Sequence, residues 1–178
     1  MLWSAAFSRI GIVVSDIYFV HPNPPPGQEG AERGVRLEMR VFQRDEPPGS
    51  IYSSVPIRVD RPLWRVDLFE SVSSPPGSLD RAHHHPRFHG WEPGKRVFVD
   101  ELSATPIGWL RARFAQIGDV LDYATGPERL APAEDIDAIV AAGPMVAAVV
   151  EQLLHDVAAG RAAKAPAQAG KSVRSSWL

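Results

Sequence analysis

A histidine cluster is the part of this sequence whose residue types and spacing could do chemistry. Four of the six histidines in the 178-residue chain lie in the segment His83-His84-His85-Pro86-Arg87-Phe88-His89. In an extended chain, alternate side chains point to opposite faces, so His83 and His85 are predicted to share one face and His84 to lie on the other. Pro86 keeps His85 extended and can turn the chain, which would bring His89 alongside. Two or three imidazoles are therefore expected to converge.

Converging imidazoles can bind a divalent transition metal, or they can transfer protons near neutral pH. Both kinds of site need a carboxylate, and Asp67 is predicted to project from the polar face of a nearby strand, where it could orient an imidazole or complete a metal site. The candidate metal ligands are His83, His85, His89 and Asp67. The spacing is not a diagnostic zinc pattern, because it lacks two histidines one helical turn apart. A solvated loop that binds nothing is the third interpretation.

A metal-free ribonuclease is the specific form of the acid-base hypothesis. One imidazole would act as base on the 2'-hydroxyl, another as acid on the leaving oxygen, and arginines would stabilise the developing phosphate charge. The candidate catalytic residues are His83, His85, His89, Arg65 and Arg87. The same polar sheet face is predicted to carry further arginines and a tyrosine that could hold phosphate and stack a base, although cross-strand ion pairs are the commoner use of such a face. That second set is Arg36, Arg40, Tyr52 and Arg58.

The composition excludes several other classes of site. The chain has no cysteine, which removes disulfides, thiolate nucleophiles and cysteine-ligated metals and fits a reducing compartment. The formal net charge of -2 gives no overall attraction to nucleic acid or to an anionic membrane. Residues 10–20 form an apolar run that is short for a membrane span and contains Asp16, so we interpret them as a buried strand. A cytoplasmic protein without a membrane segment is expected.

Period-two alternation predicts the sheet that would position the histidines. Residues 35–41, 51–59 and 64–68 alternate apolar and polar side chains, residues 9–21 are rich in β-branched and aromatic residues, and residues 95–100 form one more short strand. Short connections favour neighbours in chain order. The prediction is an antiparallel meander of about five strands with one packed face and one polar face.

The period then changes to that of helices. Thr105 as N-cap and Pro106 at the first helical position open a helix that extends to about Leu121. A second helical region starts near Pro132 and is expected to break or kink at Gly143-Pro144. An apolar stripe over residues 146–157 needs a partner, either the sheet or a second subunit, so a homodimer is one expectation.

The predicted fold is therefore α+β: an antiparallel meander sheet followed by two or three C-terminal helices packed on one face. Residues 1–160 form a single domain, because the chain is too short for two ordinary cores. Residues 161–178 contain four basic side chains and no acidic one, and they are predicted to be a disordered basic tail.

Part of the chain resembles the TumE-type toxins of bacterial toxin-antitoxin systems. The resemblance covers Tyr52-Ser53, Leu63-Trp64-Arg65-Val66-Asp67 and the histidine cluster, which is under a third of the chain. In this sequence the histidines precede the proline instead of following it, and the C-terminal helices are longer. The resemblance implies an RNA-acting toxin neutralised by a cognate protein partner, with His85, His89 and Arg65 carried over as site residues.

Two hypotheses from different classes follow. The first is a toxin-like enzyme that acts on RNA through acid-base chemistry of the histidine cluster. The second is a non-enzymatic module, either metal-binding or an assembly component, that dimerises through its C-terminal helix. The substrate, the metal and the oligomeric state are left open by the sequence.

Overall fold

The fold is the predicted α+β meander. The computed structural model describes residues 1–166. Five strands pair antiparallel in chain order, and the chain then forms helices that pack on one face of the sheet. The strands are β1 (Leu2–Ala6), β2 (Ile10–Val20), β3 (Ala31–Arg44), β4 (Ile57–Ser71) and β5 (His83–His85), followed by a small hairpin of β6 (Phe88–His89) and β7 (Glu92–Pro93). The helices are α1 (Asp100–Ala104), α2 (Pro106–Ala115), α3 (Ile117–Thr125) and α4 (Ala133–Ala158).

The sheet differs from the predicted one in its connections. The alternating segment 51–59 is not a separate strand: Ile51 and Tyr52 lie exposed in a loop, and β4 runs unbroken from Ile57 past Pro62 to Ser71. The β3–β4 register shifts next to Pro62, which has no N–H for the ladder, and the irregularity lets the strand continue. The predicted strand at 95–100 is reduced to a bridge between Val97 and His84, and β1 was not predicted.

The helices cover the face of the sheet that carries the apolar side chains. One buried core includes Leu37, Trp64 and Val66 from the strands. The apolar stripe over residues 146–157 joins this core through Val146, Val150, Leu153 and Val157. The sheet therefore supplies the partner that the stripe needs, and a second subunit is not required to cover it. The homodimer stays a prediction.

The helix boundaries also differ from those predicted. The helix that opens at Pro106 ends at Ala115, and α3 begins after Gln116, where one helix had been expected. In contrast, α4 is continuous through Gly143-Pro144. Gly143 allows close packing on α2, because a Cβ there would lie 2.9 Å from the Cβ of Phe114, while Pro144 faces outward. Tertiary packing thus offsets the hydrogen bond that Pro144 removes.

Helix α4 is long and apolar enough to cross a membrane by length and composition alone. A core helix of a folded domain satisfies the same criterion, and the inward stripe of α4 is buried against the sheet. Localisation to the cytoplasm stays a prediction. At the C-terminal end, Ala163 is buried and its N–H donates to Asp16 at 2.6 Å, so the packed domain extends past residue 160. The rest of the predicted tail, 167–178, lies outside the described residues.

Asp135 anchors the start of α4 to the first turn of the sheet. Its buried carboxylate accepts backbone N–H bonds from Ser8, Arg9 and Ile10 at 2.8, 2.7 and 3.0 Å. These bonds join elements that are more than 120 residues apart in sequence. A hydrogen bond to a charged acceptor contributes more than a neutral one, so this contact fixes how the helical layer sits on the sheet.

We predict that Asp135→Ala lowers the free energy of unfolding by about 3 kcal/mol, because it leaves backbone donors without an acceptor. Urea unfolding followed by circular dichroism measures the change. Asp137→Ala is the matched control, since Asp137 is exposed on the same helix, and its effect should stay within about 0.5 kcal/mol. Equal effects of the two substitutions would contradict the anchoring role.

Candidate functional site

The outer face of the sheet, opposite the helices, carries a buried polar cluster. Asp67 projects from β4, and His83 and His85 project from the adjacent edge strand β5, where they pair with Asp67 and Arg65. Their exposed fractions are 1%, 3% and 2%. We call Asp67, His83 and His85 the Asp-His cluster. Strand alternation places the two histidines on one face, as the sequence predicted.

Aromatic side chains shield the cluster from water. The ring of His83 lies 5.4 Å from that of Phe98 and 6.3 Å from that of Phe69, and the ring of His85 lies 6.1 Å from that of Phe88. Phe88 belongs to β6, so the small hairpin after β5 covers the end of the site. A polar group in such surroundings must find hydrogen bonds within the protein.

Both imidazoles are oriented by the backbone. His83 Nδ1 lies 2.8 Å from the carbonyl oxygen of Arg81, and His85 Nδ1 lies 2.8 Å from that of Gly94. A carbonyl oxygen only accepts, so each Nδ1 carries the hydrogen and donates it. Each Nε2 consequently turns toward the same atom, Asp67 Oδ2, at 3.4 Å for His83 and 3.6 Å for His85. The three candidate ligand atoms lie within 4.8 Å of one another.

Two arginines neutralise the buried carboxylate. Arg36 on β3 donates from Nε to Asp67 Oδ1 at 2.7 Å and from Nη2 to Oδ2 at 3.3 Å. Arg65 places Nε 3.0 Å from Oδ2, but the pair is misaligned, and this Nε has no hydrogen-bond partner among residues 1–166. Its Nη2 donates instead to His85 Nε2 at 3.0 Å. Arg36 therefore makes two hydrogen bonds to Asp67, whereas Arg65 makes an ion pair with Asp67 and a hydrogen bond to His85.

The surroundings of the cluster lower the pKa values of both Asp67 and His85. Burial alone would raise the pKa of Asp67, but the contact with His83 and the nearby guanidinium groups of Arg36 and Arg65 outweigh it, and the pKa lies well below its usual range. Burial lowers the pKa of His85 to about 4. Near neutral pH the site thus presents an ionised carboxylate and a neutral His85.

The other predicted site residues lie elsewhere. His89 is exposed on β6 and is not part of the Asp-His cluster. Arg87 donates from Nε and Nη2 to the carbonyl oxygen of Tyr123 at 3.1 and 2.7 Å, on the helix side of the sheet. Tyr52 is exposed in a loop, and Arg58 pairs with Asp45. The structure therefore brings together His83, His85, Asp67 and Arg65.

Two interpretations were open for Arg36, phosphate binding and a cross-strand ion pair, and the structure shows the ion pair, with Asp67 as its partner. The signal was present in the alternation of β3 and β4, which places both residues on the polar face. What the sequence lacks is the register that sets Arg36 directly opposite Asp67. The burial around Asp67 was also missed, because Phe88 and Phe98 cover the cluster through the tertiary path of the chain after β5, which no local pattern encodes.

In comparisons with known proteins, no family model, no curated protein and no solved structure matches the chain. The resemblance to TumE-type toxins stays a prediction. Of the residues that it carried over, His85 and Arg65 are in contact, and His89 is apart from them.

The lowered pKa of His85 predicts acid sensitivity. His85 takes up a proton near pH 6.5 in the unfolded chain and near pH 4 in the folded one, so the unfolded state binds more protons as the pH falls between these values. Stability is then lost over that window. The pKa of His84 is also lowered to about 4, by burial and by the charge of Arg113, and adds to the loss.

We predict that the free energy of unfolding, measured by urea titration in EDTA, falls between pH 7 and pH 4.5 by about 2 kcal/mol for His85 alone. His85→Gln should remove that part of the pH dependence, and His89→Gln, at an exposed position, should leave it intact. If His85→Gln and the wild-type protein lose the same free energy over this pH interval, His85 is not held neutral by the fold.

Proposed function

We propose that this is a metal-binding protein in which Asp67, His83 and His85 hold one divalent transition metal ion. The observation that carries the proposal is the orientation of the two imidazoles. Each gives its Nδ1 hydrogen to a backbone carbonyl, so both Nε2 atoms face one carboxylate oxygen. A nitrogen lone pair directed at a carboxylate is unfavourable unless a cation lies against both atoms. The guanidinium of Arg65 does this for His85, and a metal ion would do it for both histidines.

The distances support a metal ion. Ligand atoms about 2.1 Å from one ion at a tetrahedral angle are about 3.4 Å apart. The Nε2 atoms of His83 and His85 lie 3.4 and 3.6 Å from Asp67 Oδ2. A backbone carbonyl that holds the other ring nitrogen is the usual outer partner of a metal-binding histidine. Two imidazoles and one carboxylate suit zinc, iron(II), nickel or copper and leave coordination positions open.

Arg65 is the competitor of a metal ion for this site. Its guanidinium contacts both Asp67 Oδ2 and His85 Nε2, which are two of the three candidate ligand atoms. A metal ion and this guanidinium cannot both lie against those atoms, because like charges at that distance repel strongly in a buried site. The side chain must turn away when metal binds. Its missing hydrogen bond at Nε makes that movement less costly.

RNA cleavage gains less support from the geometry. His83 and His85 are almost fully buried, and an RNA phosphate would have to reach them for direct proton transfer. Arg87 and His89, which were to complete the catalytic set, point elsewhere. The toxin-like hypothesis and its cognate partner stay predictions, as does binding to RNA.

We predict that the protein purified without an affinity tag binds about one equivalent of Co(II), seen as d–d absorption bands, with His83, His85 and Asp67 as ligands. His85→Ala should lose the bands and the metal-induced rise in melting temperature. His89→Ala is the matched control from the same segment and should keep both. Co(II) binding that survives in His85→Ala, or that disappears in His89→Ala, would contradict the proposed ligands.

Elemental analysis of the untagged protein then identifies the natural metal. Metal in the wild-type protein that is absent from His85→Ala would support the proposal. The absence of stoichiometric binding of Co(II), Zn(II) and Fe(II) to a protein that melts cooperatively would overturn it. In that case a proton and the guanidinium of Arg65 balance the negative charge of Asp67.

Replacing Arg65 separates a metal site from a purely structural network. Arg65→Met removes the competing charge, and we predict a metal affinity at least about 10-fold higher, measured by competition with a chelator. The metal-free variant should be less stable than wild type, since a charge near Asp67 is lost. Arg40→Met is the control, because Arg40 pairs with Glu38 and not with Asp67. An unchanged or lower affinity in Arg65→Met would show that Arg65 does not occupy the metal position.

A further inference from the structure

We propose that a second site, on the helix side of the sheet, binds a small carboxylate with an aromatic body. A cavity of about 230 Å³ lies between β5, α2 and α3. His84 projects into it from β5, on the face opposite to His83 and His85. The site is therefore separate from the Asp-His cluster and does not depend on a metal ion there.

The walls of the cavity are suited to a flat, apolar group. Trp64 from β4 and Tyr123 and Val120 from α3 line it. Trp109 stacks on Trp64 with ring centroids 6.1 Å apart and lies 5.2 Å from the ring of His84. Aromatic side chains favour stacked or edge-on contacts with a ligand ring. The volume is below that of ordinary drug-sized sites, so a ligand with one ring is the expected size.

Two buried polar atoms in this wall have no partner. Arg113 Nε and His84 Nδ1 are inaccessible to water and make no hydrogen bond within the described part of the chain. Both side chains line the same cavity. A buried donor without an acceptor costs about 1–3 kcal/mol, and such atoms are rare in folded proteins. Arg113 Nε can only donate, whereas His84 Nδ1 donates in one tautomer and accepts in the other. Two such atoms without partners at one cavity indicate a polar ligand that would reach them when the Arg113 side chain turns toward it.

The charge around the cavity selects the class of that ligand. The guanidinium of Arg113 lies 5.4 Å above the ring of Trp109 and forms no ion pair within residues 1–166. Arg87 adds a second guanidinium over the ring of Tyr123, at 4.6 Å. A carboxylate matches the planar fork of arginine, and an aryl group matches the wall. Asp119 also lines the cavity and is exposed, so it disfavours a ligand with more than one negative charge.

The test uses phenylacetate as the probe and the indole N–H resonances of the tryptophans as the readout. We expect saturable shifts with a dissociation constant of about 1 mM or tighter. Phenylacetamide has the same ring without the charge, and it should bind at least about 10-fold more weakly if Arg113 recognises a carboxylate.

Two substitutions should act in opposite directions. Arg113→Gln removes the guanidinium and should weaken phenylacetate binding at least about 10-fold, whereas Asp119→Asn removes the opposing charge at an exposed position and should tighten it about 2- to 5-fold. Arg111→Gln, exposed on the same helix, is the control and should change nothing. Because Asp119 is exposed, its substitution tests whether its charge opposes a bound carboxylate without disturbing the core.

Three results would overturn the proposal. One is the absence of saturable shifts with phenylacetate, benzoate and hexanoate in the folded wild-type protein. Another is equal affinity for phenylacetate and phenylacetamide. The third is equal weakening by Arg113→Gln and Arg111→Gln. Loss of binding in Arg113→Gln alone, with tighter binding in Asp119→Asn, would establish the carboxylate site.

Discussion

The burial of one carboxylate constrains the outer half of this structure. Asp67 is 1% exposed, and an isolated charge at such a position would cost several kcal/mol. Its partners come from three strands: Arg36 from β3 and Arg65 from β4 itself supply the opposite charge, and His83 and His85 from β5 lie against the carboxylate. A slip in register would move these partners to the opposite face and leave the charge unpaired. The requirement to satisfy Asp67 therefore fixes how β3, β4 and β5 align.

The three consecutive histidines of β5 have different surroundings because side chains alternate along a strand. His83 and His85 face the buried carboxylate, while His84 faces the helices and a cavity lined by aromatic rings. The edge strand thus joins two chemically distinct sites that lie back to back. The ends of β5 are held by the hydrogen bonds of His83 and His85 to backbone carbonyls, and its middle residue is held by the bridge to Val97.

Arg65 lies where the Asp-His cluster would hold a metal ion under the proposed function. Its guanidinium lies 5.5 Å above the ring of Phe88 and contacts two of the three candidate ligand atoms without a hydrogen bond at Nε. Burial lowers its pKa, but the charge of Asp67 opposes that effect, and the side chain keeps its proton. If the Asp-His cluster holds a metal ion, as proposed, Arg65 is the cation that lies at the metal position in the metal-free form. Replacing one cation by another avoids exposing a bare carboxylate in a dry site.

The sequence determined the class of fold and the half of the site that depends on local periodicity. Alternation gave the antiparallel meander and the shared face of His83 and His85, and Thr105-Pro106 gave the start of α2. These features follow from neighbouring residues, whose directions the backbone geometry sets. Predictions from the sequence were wrong where contacts between distant residues determine the structure. These places are Pro144 inside an unbroken α4, the continuous β4 across Pro62, and the separation of Arg87 and His89 from the cluster. Only the tertiary structure decided that Arg36 lies opposite Asp67 and that the part of the polar face around Asp67 is buried. Register and cover arise from pairing between strands far apart in the chain, and no local pattern encodes them.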